Sequence, residues 1–396
     1  MEKVYLRPRR EDSILRFHPW VFSGAIARVT GNPAEGDLVA VHSSEGEYLA
    51  TGHYQIGSIA VRILSFDEDP TAPDYWEKMV RRAFEVRVAC GLHGSASTNC
   101  YRLIHGEGDG LPGLIVDYYA GVCVLQAHSV GMFKAKSAIC EALKAVYGDT
   151  LKAVYDKSSG TAPFKAGLDL VDGYLYKADG FDTDECVVLE NGNKFHVNWN
   201  EGQKTGFFLD QRDNRELVGK YAAGRRVLNL FCYTGGFSIY ALTAGAALVD
   251  SVDSSSRAMD LVARNIQLNG NTIECHNYCE DAIEFLRKTE EGKYDLMIVD
   301  PPAFAKHRGA LKNALRAYQR LNAAAIAKVA PGGLVFTFSC SQVVDKITFA
   351  NTVFSAAAQT GRSVRILDRL CQGADHPVSI YHPEGEYLKG LLLYVE

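Results

Sequence analysis

Residues 227–253 read VLNLFCYTGGFSIYALTAGAALVDSVD, and the fold turns on how this stretch divides. Its first 23 residues, Val227 to Val249, carry no charge, so a membrane span is one candidate. Asn229, the adjacent Gly235 and Gly236, Ser238 and two threonines interrupt it. A buried strand, a glycine turn and a helix fit better than one continuous apolar helix. A second strand, LVDSVD, follows at 248–253.

Outward from there the same alternation continues. Strands are predicted at TIECHN (272–277), YDLMIVD (294–300), GLVFTFSC (333–340), RSVRILD (362–368) and KGLLLYVE (389–396), with helices between most of them. Strand–helix alternation predicts a doubly wound, Rossmann-like sheet of seven mostly parallel strands. Ligands on such sheets bind beyond the carboxyl ends of the strands, near the point where strand order reverses.

Upstream, residues 1–70 are rich in short β signals. GDLVAVHSSEGEYLATGHY (36–54) reads as a hairpin and SIAVRILSF (58–66) as a third strand. Asp69-Pro70-Thr71-Ala72-Pro73 reads as a linker. Residues 74–188 read as a mixed α+β region, with helices at Asp74–Cys90 and Lys134–Val146, a glycine-rich turn leading into a strand over 105–119, a strand at 122–128, and no catalytic constellation. Residues 189–396 carry the alternating pattern.

With 396 residues, 47% of them hydrophobic and 22% charged, the composition is that of a globular protein and excludes a disordered, collagen-like or coiled-coil chain. The net charge is −5, so a polyanionic partner needs a local basic patch. The opening MEKVYLRPRREDS lacks an apolar targeting segment. Ten irregularly spaced cysteines without such a segment read as reduced thiols of a cytoplasmic protein. Cys275-His276-Asn277-Tyr278-Cys279 lacks metal-ligand spacing and reads as a strand that contains two thiols, so no metal is expected.

The chemistry should lie just past each strand. After the first strand come Asn229, Phe231, Tyr233, Thr234 and Gly235, where glycines allow close backbone approach to a ligand. Neither a G-x-G-x-x-G fingerprint nor a Gly-Lys-Ser/Thr phosphate loop is present. Asp253 ends the second strand 24 residues after Asn229, where an acid suits a ribose diol. Asp281 follows the third. Both acids have an alternative reading as helix caps. The fourth strand ends in Asp300-Pro301-Pro302-Ala303-Phe304, where two prolines stop the strand and stiffen the loop. The fifth ends in Ser339-Cys340-Ser341.

In order and at these strand ends, the set resembles the class I S-adenosylmethionine-dependent methyltransferases, and Asp-Pro-Pro-x-Phe resembles the motif of members acting on nucleobases. That resemblance gives Cys340 a role. Carbon 5 of a pyrimidine is a poor nucleophile, and a thiolate adding to carbon 6 makes it enamine-like. Such a thiol needs nearby positive charge. Asp300 would then hydrogen-bond the cytosine edge.

From Pro301 to Val344 there is no acid, while Lys306, Arg308, Lys312, Arg316, Arg320 and Lys328 give a local charge of +6. Arg308, Lys312, Arg316 and Arg320 recur every four residues, so a helix would align them in one stripe. The stripe reads either as a solvated helix face or, beside the Asp-Pro-Pro loop, as phosphate contacts.

Further segments narrow the resemblance to the bacterial large-subunit ribosomal RNA cytosine-C5 methyltransferases with an N-terminal PUA domain. These are His18-Pro19-Trp20-Val21-Phe22-Ser23-Gly24, Lys204-Thr205-Gly206-Phe207-Phe208-Leu209-Asp210-Gln211-Arg212, Ala374-Asp375-His376-Pro377 and Tyr387-Leu388-Lys389-Gly390. The family often carries Lys at the position of Ala303. What the resemblance implies is a PUA RNA-binding domain at 1–70, a central domain at 74–188 and a methyltransferase domain at 189–396. It implies S-adenosylmethionine held by Asn229, Phe231, Tyr233, Thr234, Gly235, Asp253, Asp281, Asp300 and Gln211, and catalysis by Cys340 and Asp300. RNA would meet Pro301, Pro302, Phe304, Lys306, Arg308, Lys312, Arg316 and Arg212. The expected partner is large-subunit ribosomal RNA or its naked precursor, with no membrane and with a homodimer left open. Two alternatives stand beside this: an RNA methyltransferase acting on a guanine nitrogen without cysteine catalysis, and an RNA-binding assembly factor with a vestigial methyltransferase domain.

Overall fold

The computed structural model describes residues 1–163, 167–305 and 307–396. The chain forms two compact units. One comprises residues 1–188, 197–207 and 374–385; the other comprises 189–196, 208–373 and 386–396.

The second unit is built on a seven-stranded sheet. Its strands are β1 (Arg226–Leu230), β2 (Leu248–Asp253), β3 (Cys275–Cys279), β4 (Leu296–Val299), β5 (Gly333–Ser339), β6 (Val364–Cys371) and β7 (Lys389–Val395). Their spatial order is β3-β2-β1-β4-β5-β7-β6. The first five are parallel, and β7 runs antiparallel between β5 and β6. Strand order therefore reverses between β1 and β4, which opens a crevice at their carboxyl ends.

Helices α1 (Arg212–Ala222), α2 (Gly236–Thr243), α3 (Ser256–Leu268), α4 (Ala282–Lys288), α5 (Leu311–Lys328) and α6 (Lys346–Thr360) accompany the strands. Successive strand residues point to opposite faces, and the apolar runs split accordingly. Val227, Leu296, Ile298, Phe336 and Phe338 pack with Val218 and Ala222 of α1 and Ala241 and Leu242 of α2. Leu228, Met297, Val299 and Val335 pack with Leu321 and Ala325 of α5 and Phe349 and Val353 of α6. Both faces are covered, which is why the strands read as unbroken apolar runs.

Two strands of this sheet differ from expectation by three residues at one end, the others by at most two. β3 begins at Cys275 rather than 272, because Asn271 Oδ1 accepts the Ile273 N–H at 2.9 Å and holds the preceding residues in a turn. β6 spans Val364–Cys371 rather than 362–368, because the Arg362 guanidinium is drawn to the carbonyls of Ile326 and Val329, at 2.6 Å each.

In the first unit, a six-stranded sheet has the order Trp20–Phe22, Ile59–Ser65, Tyr48–Tyr54, Leu38–His42, Glu2–Leu6, Ile26–Val29. The expected hairpin is its Leu38–His42 and Tyr48–Tyr54 pair. A five-stranded sheet, Gly173–Lys177, Ala153–Asp156, Val122–Ala127, Leu114–Tyr119 and Cys100–His105, carries helices Tyr75–Ala89 and Val130–Tyr147. The second of these helices starts four residues before the expected Lys134, because the Ser129 side chain caps it by accepting the Met132 N–H at 3.3 Å.

The segment Ala374–Gly385 belongs to this first unit. Asp375 anchors it: its Oδ2 accepts the Arg102 N–H at 2.9 Å, and its carbonyl accepts from fully buried Arg87 at 2.8 Å. Arg87 also forms a buried bidentate pair with Asp109, at 2.5 and 2.8 Å.

Candidate active site

The loop between β1 and α2 is strained in a way that marks a site. Phe231 and Tyr233 adopt positive φ, 58° and 49°, and Gly235 follows at 78°. A bulky side chain in the left-handed region costs about 1–3 kcal/mol and persists only where its surroundings enforce it. Here the enforcement is visible. The Cys232 N–H donates to the Val252 carbonyl at 3.1 Å, the Tyr233 N–H to Asp253 Oδ2 at 2.9 Å, and the Asn265 amide to the Thr234 carbonyl at 2.9 Å. Phe208 meets the Tyr233 ring edge-on at 5.1 Å.

Glycine at 235 is required twice over. Its φ disfavours other residues, and a Cβ there would approach the Val262 methyls to 3.1 Å. Under the loop lies a buried ion pair. Arg215 donates to both oxygens of Glu190 at 2.7 Å and to the Phe208 carbonyl at 2.9 Å, and the Tyr240 hydroxyl donates to Glu190 at 3.0 Å. A Cβ on Gly236 would come within 2.9 Å of the Arg215 side chain, so this pair forms the floor of the turn.

Asn229 is 1% exposed. Its amide donates to Ser238 at 2.8 Å, and Ser238 in turn pairs with Ser251 at 2.8 Å. Its Oδ1 is buried and has no hydrogen-bond partner. Such an atom costs about 1–3 kcal/mol unless something else pairs with it. Asp253 Oδ1 accepts the Ser255 N–H at 3.0 Å, while Ser255 itself caps α3. Asp253 therefore pins the glycine loop instead of capping the helix. Asp281 does act as the cap of α4, accepting from the Ile283 and Glu284 N–H groups, both through Oδ1 at 3.0 Å.

Asp300 stands just past β4, half-buried, and accepts from Gln211 Nε2 at 3.0 Å. Gln211 is itself held by Asn214, at 2.6 Å. Pro301 is buried and Pro302 is exposed. Phe304 packs on buried Tyr318 with ring centroids 4.7 Å apart. The Ala305 N–H donates to Ser341 Oγ at 3.3 Å, and the Tyr318 hydroxyl pairs with the same oxygen at 3.0 Å. The Asp-Pro-Pro loop and the end of β5 are thus one assembly, and Cys340 lies within it.

Positive charge reaches this place from an unexpected source. Lys389 opens β7 opposite Ser339 and is 5% exposed. Its ammonium donates to the carbonyls of Ser341 and Tyr387, at 2.6 Å each. Burial pulls its pKa down to about 8, and the Cys340 charge is the first of the groups that act in the opposite direction. Although the motif around Lys389 is apparent in the sequence, its role is not. The available signal is a lone cation at the head of an apolar strand, Lys389-Gly390-Leu391-Leu392-Leu393.

Other candidates divide. Arg308 lies in a short 3-10 turn, and Lys312, Arg316 and Arg320 lie in that turn's continuation into α5; all four are exposed along one stripe. Lys306 lies outside the described residues. Arg212, expected to meet RNA, is 3% exposed and its Nε lies 3.7 Å from Glu190, beside the buried ion pair. No disulfide is formed among the described residues, and Cys275 and Cys279 lie in β3 as expected. Among the described residues, no helix is long and apolar enough to cross a membrane.

Comparison with known proteins gives three findings. The S-adenosylmethionine-dependent methyltransferase profile matches residues 102–392, and a PUA-like domain profile matches residues 4–66. The "Ribosomal RNA large subunit methyltransferase I" of Aeromonas hydrophila is 40% identical over 396 residues, covering 98% of each chain, and that of Pseudoalteromonas atlantica is 41% identical over 399 residues, covering 99%. A solved structure from Streptococcus mutans, described as an S-adenosylmethionine-dependent methyltransferase, shares the fold over 100% of both chains with a TM-score of 0.84 at 23% identity.

Proposed function

The chain belongs to the S-adenosylmethionine-dependent methyltransferase family, and from that premise we propose that it methylates carbon 5 of a cytosine in large-subunit ribosomal RNA with Cys340 as covalent nucleophile. The observation that carries this reading is the assembly of Cys340, the buried Lys389 ammonium and the Asp300-Pro301-Pro302 loop at one edge of the sheet. The names of the relatives support the choice of ribosomal RNA.

The residues fit the cofactor. Asn229 offers a buried, unpaired acceptor, the Phe231–Gly235 loop is held in a fixed conformation by its own hydrogen bonds, and Asp253 retains acceptor capacity for a ribose diol. When bound, S-adenosylmethionine supplies an electrophilic methyl group. The rest falls to the chain. Lys389 favours the Cys340 thiolate, which adds to carbon 6 of the base and forms a carbon–sulfur bond. Asp300, steadied by Gln211, receives the hydrogen-bonding edge of the cytosine. Once carbon 5 is methylated, loss of its proton and expulsion of the Cys340 thiolate restore the aromatic ring. The exposed stripe of Arg308, Lys312, Arg316 and Arg320 binds backbone phosphates.

A second reading, methylation of a guanine nitrogen, draws on the packing of Cys340 against the apolar cluster around Phe338 and Leu388, where a thiol could be purely structural. Product analysis separates the two. Protein and a Cys340→Ala variant are incubated with isotope-labelled cofactor and unmodified ribosomal RNA, and the digested nucleosides are resolved by mass spectrometry. Labelled 5-methylcytidine from the native protein alone is the expected result. A labelled methylguanosine, or equal product from both proteins, overturns the cysteine mechanism.

A further inference from the structure

Within the first unit, three side chains converge. His18 precedes the short strand Trp20–Phe22, and His382 and Glu384 lie at the end of the segment Ala374–Gly385. His18 Nε2 is 3.8 Å from Glu384 Oε2, His382 Nε2 is 3.9 Å from the same oxygen, and the three ligand atoms all lie within 4.8 Å of one another. His382 is the informative member. Its side chain is 3% exposed, and neither ring nitrogen has a hydrogen-bond partner. A buried imidazole with both nitrogens unpaired calls for a ligand.

We propose that His18, His382 and Glu384 form a binding site for a borderline divalent metal ion of the Zn²⁺ type. Two imidazole nitrogens and one carboxylate oxygen are the donor set such ions take, with a fourth position left for water. A tetrahedral site with ligand bonds of about 2.0–2.1 Å needs ligand atoms about 3.4 Å apart. The 3.8 and 3.9 Å separations from the carboxylate close to that value by a few tenths of an ångström, and the two imidazole nitrogens, within 4.8 Å of each other, must approach by up to about 1.4 Å through rotation of their rings. Glu384, 53% exposed, has the freedom to make it.

The surroundings are consistent with neutral, ligating imidazoles. Metal ligation requires the unprotonated ring. His18 Nδ1 accepts the Trp20 N–H at 3.2 Å and lies 3.4 Å from the Trp20 carbonyl, so ligation through Nε2 requires the ring to exchange the first contact for the second, with Nδ1 carrying the proton. Trp20 packs edge-on against His382 at 4.3 Å and is itself fixed by Glu107, which accepts its indole N–H at 2.8 Å. Such a metal would cross-link the PUA-like sheet to a segment more than 350 residues further along the chain. The proposal is independent of the base and atom methylated.

The test uses the full chain, stripped with chelator and titrated with Zn²⁺ in a calorimeter. The wild type should take up one equivalent, and Glu384→Gln and His382→Gln should each weaken binding at least ten-fold. Glu384 is half-exposed, so its variant stays folded even if His382→Gln does not. A Cys275→Ser/Cys279→Ser variant should bind as the wild type does, which separates this site from the free thiols. Co²⁺ at the same site should quench the fluorescence of Trp20, and the quenching should vanish in Glu384→Gln. Absence of a one-equivalent site in folded wild type, or affinity unchanged by Glu384→Gln, overturns the proposal.

Discussion

Replacing Lys389 with methionine removes a buried ammonium beside Cys340 while keeping most of its volume, and the reactivity of Cys340 should report the loss. An opposite charge a few ångströms away lowers a thiol pKa by about 1–3 units, and its removal raises it by as much. Each unit cuts the thiolate fraction at neutral pH about ten-fold but makes the remaining thiolate about three-fold more nucleophilic, a net loss of about three- to four-fold per unit. Alkylation of Cys340 by iodoacetamide at pH 7 should therefore slow by about four- to forty-fold in Lys389→Met. The pH profile sharpens the test. With its pKa lowered by burial to about 8, Lys389 is roughly nine-tenths protonated at pH 7 and largely neutral by pH 9–10. The difference between the two proteins should accordingly shrink as pH rises through 8. Peptide-level mass spectrometry measures the rate at Cys340 apart from the other nine thiols and needs neither cofactor nor RNA. Equal rates at pH 7, or a ratio that stays constant to pH 10, would refute the assignment of Lys389 as the group that favours the thiolate.

Other expectations follow from the same structure. Glu190→Gln leaves the Arg215 guanidinium buried without its counter-charge and should cost about 3–5 kcal/mol in denaturant unfolding. Gly235→Ala forces a Cβ onto Val262 at a φ of 78°; it should lower S-adenosylmethionine affinity about ten-fold or more by calorimetry while the fold persists. Replacing Arg308, Lys312 and Arg316 together with alanine should weaken RNA binding for all sequences alike and flatten its salt dependence by about 2–3 units of slope. His53 is buried, and that burial lowers its pKa to about 4. The unfolded chain therefore binds the extra proton between about pH 6.5 and 4, and stability should fall by up to about 3 kcal/mol as pH drops through that window. Thermal melts at pH 7 and pH 4 should show a smaller acid loss for His53→Gln.

Much of the site was legible because it is local. Each of Asn229, Asp253, Asp300 and Cys340 lies at or just past the end of a strand whose apolar run is plain in the sequence. Parallel strands send those ends to one edge, so reading the runs also collects the residues. Asp253 and Asp281 shared one sequence signature, an acid before a helix, yet only Asp281 caps its helix; Asp253 turns back to the Tyr233 N–H. The burial of Arg212 beside Glu190 was not legible, because a sequence motif says nothing of which face a side chain occupies.

By itself the sequence determined the alternation of strands and helices, the glycine turn at 235–236, the stiff Asp300-Pro301-Pro302 loop and the stripe on α5. These are short-range properties: hydrophobic period, missing N–H groups and backbone freedom are settled within a few residues. Tertiary structure alone decided that Lys389 reaches Cys340 from an antiparallel strand, that Glu190 pairs with Arg215 beneath the glycine loop, and that His18 meets His382. Each joins groups far apart in the chain through strand register or segment packing. A buried charge or imidazole carries no periodic signature, and its partner is chosen by which surfaces close over it.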